Sequence, residues 1–150
     1  MRIAREETAS ELVEAAIVLN LLLALLIGII WIARAYNVYE TLTFAAREGA
    51  RVATSPTCSA CGGGNTPPSN STITKTIDNA LKGSGIDPSK LNPGINIQNG
   101  VVLNPGDPSA AQVTGVVISF GYPFKFTVPF TSLNAKTITI STKVEMRQEF

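Results

Sequence analysis

From Ala15 to Ala33 the chain carries one polar side chain, Asn20, in an otherwise apolar run, and no other stretch limits its structure as much. At 1.5 Å of rise per helical residue, about 20 apolar residues cover the roughly 30 Å hydrocarbon layer of a bilayer. Nothing stops a helix at Ala33. From Arg34 to Ala53 there is no proline and one glycine, while Ala35, Val38, Leu42, Ala45, Gly49 and Val52 recur at alternating steps of three and four. That spacing places them on one stripe, with Asn37, Glu40, Thr41, Arg47, Glu48 and Arg51 mostly opposite. One helix therefore has two environments: a first half suited to lipid or to a bundle of like helices, and an amphipathic second half that needs a folded layer against its stripe.

Ahead of the run, the α-amine, Arg2 and Arg5 form a small positive cluster, and the positive-inside rule puts this end in the cytoplasm and everything beyond Ala33 outside. Residues 1–9 thus read as a basic cytoplasmic leader. A cleaved secretory signal is the competing reading, since Ala33-Arg34-Ala35 has the A-x-A form. Against it stand an apolar run longer than the usual 7 to 15 residues and an amphipathic helix that continues through the site. Glu11 and Glu14 sit at the head of the run. An unpaired carboxylate in hydrocarbon costs at least about 2.5 kcal/mol. Glu14 is accordingly either wet at head-group level or paired with a cation on a neighbouring copy, most simply an N-terminal amine, in which case the pair sets the axial register between helices.

Ala45, Ala46, Gly49, Ala50 and Ala53 form a face of small residues that admits close backbone approach, either by the chain's own sheet or by another helix. Trp31, Tyr36 and Tyr39 fall where an outer-leaflet aromatic belt is expected, or serve ordinary packing. Pro56 disfavours helix in the residue before it, so the helix is expected to end at Thr54 or Ser55. Residues 55–70 are rich in Cys, Gly, Pro and Ser and read as an exposed loop. Within it Cys58 and Cys61 are the only cysteines of a chain that has no histidine. A zinc site needs about four ligands, and a redox C-x-x-C needs a helix start that the following glycines do not offer, so the pair reads as a short structural disulfide outside the membrane. Asn70-Ser71-Thr72 matches the glycosylation sequon.

Residues 71–150 read as an extracytoplasmic α+β domain. Ser71 or Asn70 caps a short helix through Leu81, with Ile73, Ile77, Ala80 and Leu81 inward and Gly83 at its end. A strand is expected over Ile95 to Gln98, with Asn99-Gly100 as a tight hairpin turn before Val101 to Leu103. Gln112 to Phe120 suits a central strand, and Ile138, Ile140, Val144 and Met146 alternate with polar residues in a last strand that has one dry face. Between them Pro123 and Pro129 argue against a regular central strand. There Phe124, Phe126 and Phe130 either plug the core end or form an apolar patch for a partner.

A net charge of +1 gives no basic field for nucleic acid. The chain holds no phosphate-cradling glycine motif, no nucleophile elbow and no metal constellation, and Asp107 reads as a turn residue, so an enzyme, a cofactor and a small-molecule substrate are not expected.

The segment from Thr8 to Ala53 resembles the N-terminal module of TadE-like proteins, pseudopilin-related components of tight-adherence pilus systems. The resemblance rests on Val13-Glu14-Ala15-Ala16, on Gly28 late in the run, on Arg34 just past it, and on the closing block Ala45-Ala46-Arg47-Glu48-Gly49-Ala50-Arg51. It implies a helix, here residues 10–54, that anchors the protein in the inner membrane and packs against other pilin helices. It also implies a prepilin-peptidase cut between Ala9 and Ser10 that leaves Glu14 as fifth residue. The expectation is an α+β, pilin-like fold: a long hydrophobic-then-amphipathic N-terminal helix packed on an antiparallel sheet of three or four strands. The expected function is a structural pilus subunit, or a part of the assembly base, with other copies and the membrane as partners. The alternative is a membrane-tethered extracytoplasmic binding module that does not polymerise.

Overall fold

The computed structural model describes residues 3–55, 68–104, 106, 112–125 and 137–148. Helix α1 runs from Ile3 to Thr54, α2 from Asn70 to Gly83, and a 3-10 turn spans Pro88–Lys90. Strands β1 (Asn96–Val102), β2 (Thr114–Lys125) and β3 (Thr137–Arg147) form an antiparallel sheet in that order, with β2 central. The architecture is α+β. The chain divides into two compact units, Met1–Tyr36 and Asn37–Phe150, and α1 contributes to both.

In the first unit the apolar residues of α1 are exposed, Leu21 and Ile32 by about 70%. The second unit is built on the stripe that the three-and-four spacing predicts. Leu42, Ala45, Ala46, Ala50 and Ala53 of α1 are buried in one cluster with Ile73, Ile77 and Leu81 of α2 and Val116, Ile118 and Phe120 of β2. Each large side chain fully buried there contributes about 1.5–3 kcal/mol relative to exposure. Gly49 lies at the closest approach, where a Cβ would stand 2.5 Å from Ile77 Cγ1. The face of small residues is therefore filled from within the chain. Two hydroxyls also tie α1 to β3: Thr43 Oγ1 lies 3.3 Å from Thr142 Oγ1, and Thr54 Oγ1 donates to Met146 Sδ at 3.3 Å. Thr142 is buried on the dry face of β3, and this bond gives its hydroxyl a partner there.

Helix α2 begins and ends differently from the sequence expectation. Its N-cap is Ser69, in extended backbone, with its hydroxyl accepting from the Thr72 N–H, so Asn70 and Ser71 lie inside the first turn. Asn70, the sequon residue, is helical rather than in a loop, and its Oδ1 accepts from Asn99 Nδ2 at 3.0 Å. At the other end Gly83 is the last helical residue, and the left-handed position belongs to Gly85, with φ of 77°. Gly85 N–H donates to Lys82 C=O and Ile86 N–H to Leu81 C=O, and Ile86 is buried in the same cluster as Leu81. This is a Schellman closure with its hydrophobic clasp. Ala80, expected inward, is only half-buried at the margin of the cluster.

The sheet corrects two further expectations. Asn99-Gly100 is not a hairpin turn, because β1 continues through it: Gln98 pairs with Val117 and Val101 with Gly115, so one extra residue is accommodated on β1. Gly100, at φ of 68°, supplies the left-handed residue that such a bulge needs. Strand β2 also continues through Pro123, which pairs with Thr139 of β3. The reason is local. Gly121 exchanges backbone bonds with Asn92 and Pro93, so by strand alternation the nitrogen of Pro123 points to that same side, beyond the end of β1, where no ladder bond is lost. Phe124, on β2, is buried, whereas Phe126, Phe130, Cys58, Cys61 and Asp107 lie outside the described residues. Ile138, assigned to the dry face of β3, is 48% exposed at the start of the strand, where no described residue covers it.

Candidate membrane anchor and assembly helix

In the first unit, α1 carries the features that the sequence singled out, within one uninterrupted helix. Ser10, Glu11 and Glu14 are exposed, and so is Asn20. Among the described residues, Glu14 belongs to none of the ion pairs. About 30 Å of helix separates Glu14 from Arg34 at 1.5 Å per residue, close to the thickness of a bilayer's hydrocarbon layer. The two charges thus bracket a span whose apolar side chains all lie between them, and Ser10–Thr54 has the length and composition of a membrane-crossing helix. Arg34 is not simply extended into solvent. Its guanidinium carbon stacks over the Trp31 ring, 4.9 Å from the centroid. That contact is one the sequence did not single out. The i, i+3 spacing of a cation and an aromatic on one helix was the available signal.

In the second unit, the closing block Ala45-Ala46-Arg47-Glu48-Gly49-Ala50-Arg51 divides by face. Its alanines and Gly49 are buried, Arg47 is exposed, and Glu48 accepts from Arg51 at 2.7 Å. That hydrogen bond and the Glu48 charge raise the pKa of Arg51 above its already high ordinary value. Such an exposed pair adds little stability. The block is thus a packing motif: its small residues let α1 approach Ile77 and Ile118, and its charges keep the outer face wet. Phe44 and Tyr39 are exposed on the same stretch of helix. Among the described residues no cluster of Asp, Glu, Cys and His could hold a metal ion.

The apolar, membrane-length helix of the first unit suggests single-pass membrane anchoring, and the second unit is a small α+β fold. Residues 10–51 match the family described as TadE-like protein, so the N-terminal helix is similar to that of the TadE-like proteins. The matched segment ends at Arg51, within one turn of the helix C-terminus, so it takes in the apolar run, the Trp31–Arg34 pair and the packing block. No curated protein and no solved structure matches the chain. The match and the helix together support a membrane-anchored, pilus-associated protein.

Proposed function

We propose that this chain is a structural, non-enzymatic subunit of a pilus-type filament or of its assembly base. The membrane half of α1 first holds it in the inner membrane, leader inside and α+β unit outside, and then packs against the helices of other copies or of related subunits. The observation that carries this reading is the helix itself: in the first unit its apolar side chains are exposed, while in the second unit its stripe of small and apolar residues is buried within the unit's own core. Helices that leave lipid for a bundle gain little hydrophobic energy, so shape and polar pairs supply the specificity. Glu14 is the group suited to that task. Processing between Ala9 and Ser10 exposes a new amine whose charge can pair with Glu14 of a neighbouring copy.

The test is electron microscopy of sheared cell-surface material, together with membrane fractionation, for the unmodified chain and for Glu14→Ala. Fibres that contain the unmodified chain, with Glu14→Ala retained in the membrane fraction and absent from fibres, are the expected result. Normal fibres from Glu14→Ala count against the pairing. A membrane-bound chain that never enters fibres favours the second reading, a tethered extracytoplasmic module. That reading draws its support from the face of small residues, which the fold already occupies.

A further inference from the structure

We propose that Trp31 and Arg34 form a binding site for the headgroup of an anionic phospholipid, a site that sets the depth of α1 in the bilayer; it rests on the membrane-anchored reading. The geometry supplies each part of such a site. Helical side chains lean toward the helix N-terminus, so Arg34 reaches back one turn, toward the apolar run, and lies over the Trp31 ring at 4.9 Å. A cation–π contact with the ring uses none of the guanidinium's N–H donors, and a guanidinium can bond a phosphate through two of them in parallel. The helical neighbours at three and four residues, Ile30, Trp31, Asn37 and Val38, are not carboxylates, and none of the ion pairs among the described residues includes Arg34. The depth is right as well, since Arg34 stands about 30 Å along the helix from Glu14, which places the two at opposite headgroup layers. An indole at that level has its apolar body in the acyl boundary and its N–H near the wet side. An anionic headgroup is preferred because it adds surface attraction for the cation and carries no ammonium of its own to compete.

Trp31 is the only tryptophan of the chain, so its fluorescence reports this turn alone. The full chain is reconstituted into vesicles of phosphatidylglycerol or phosphatidylcholine, and Trp31 depth is read by quenching with lipids brominated at successive acyl positions. In phosphatidylglycerol the strongest quenching is expected from the bromine nearest the glycerol. Both Arg34→Leu and Arg34→Gln should move that maximum deeper, by as much as one helical turn, about 5 Å, and abolish the difference between the two lipids. Inorganic phosphate added to the chain in detergent should leave the emission unchanged. An unshifted depth in both variants, or identical depth in the two lipids for the unmodified chain, overturns the site. A response to inorganic phosphate that matches the lipid response overturns the lipid assignment in favour of a free anion. Flotation separates the two levels of failure. A chain that does not float with vesicles refutes the anchor itself, whereas a floating chain with an insensitive Trp31 refutes only this site.

Discussion

Adding a single methyl group at Gly49 is expected to destabilise the folded unit by about 1 kcal/mol net, although alanine is the better helix former. An ideal Cβ there would lie 2.5 Å from Ile77 Cγ1, 2.7 Å from Ile77 Cδ1 and 3.4 Å from Ile118 Cδ1. Carbon atoms pack best at about 3.5–4.0 Å, so something must give by about 1 Å. The nearest atom is close to the Ile77 backbone and cannot be swung away at the end of the side chain. Relief requires turning χ1 off its rotamer or pushing α2 away, and both Ile77 and Ile118 are fully buried. Overpacking of this kind costs about 1–3 kcal/mol. The helix-propensity gain of alanine over glycine offsets about 1 kcal/mol of it. For a unit of this size the expected fall in Tm is about 4–8 °C per kcal/mol, measured by near-ultraviolet circular dichroism on the full chain in detergent micelles. Gly83→Ala is the control of opposite sign. No atom lies within 4 Å of its Cβ position, so only the propensity gain, up to about 1 kcal/mol, remains. The reasoning is decided by a double-mutant cycle. With Ile77→Ala in the background the cost of Gly49→Ala should disappear. An equal cost in both backgrounds, or a Gly49→Ala chain at least as stable as the unmodified one, refutes it.

Two further predictions follow from the termini of elements. Gly85→Ala places a Cβ at φ of 77° and should cost about 1–2 kcal/mol, read in the same melting experiment, whereas Gly94→Ala, whose Cβ would meet nothing within 4 Å, should not. Asp87 caps the 3-10 turn: its carboxylate accepts from the Ser89 hydroxyl at 2.8 Å and the Ser89 N–H at 3.0 Å, and these bonds, with the Lys90 and Lys82 charges, hold its pKa below the ordinary value. A lowered carboxylate pKa contributes stability above the unfolded value of about 3.9 and loses it as the pH falls through the folded one. Asp87→Asn keeps an acceptor but loses the charge, so it should be slightly less stable than the unmodified chain near neutrality, and the gap should close below about pH 4. An unchanged acid dependence sinks that assignment.

Most of α1 was legible in the sequence because helix periodicity and bilayer length are local quantities. The run Ala15–Ala33, the stripe through Leu42 and Gly49, and the stop before Pro56 need no partner to be read. The strands were legible in part. Alternation marked β3, yet Pro123 looked like the end of β2 because its cost depends on which neighbour is missing on one side, and that is a property of the sheet. Gly100 satisfies a turn and a bulge equally well, since both need a left-handed residue, and only the register with β2 distinguishes them. Gly83 and Gly85 are equally plausible helix terminators until the hydrogen bonds of Ile86 and Gly85 are known.

The candidate site divides the same way. Glu14, Arg34 and the small residues stand out by type and position alone. That Arg34 lies on Trp31 depends on a rotamer, and that Ala45, Ala46, Ala50 and Ala53 face α2 and β2 depends on what folds against them. The sequence by itself determined that one helix has a greasy half and an amphipathic half, because a stretch of chain carries its own hydrophobic period. Only the tertiary structure decided what occupies the amphipathic half, because a buried face specifies a volume to be filled and leaves the identity of the filler to the rest of the chain.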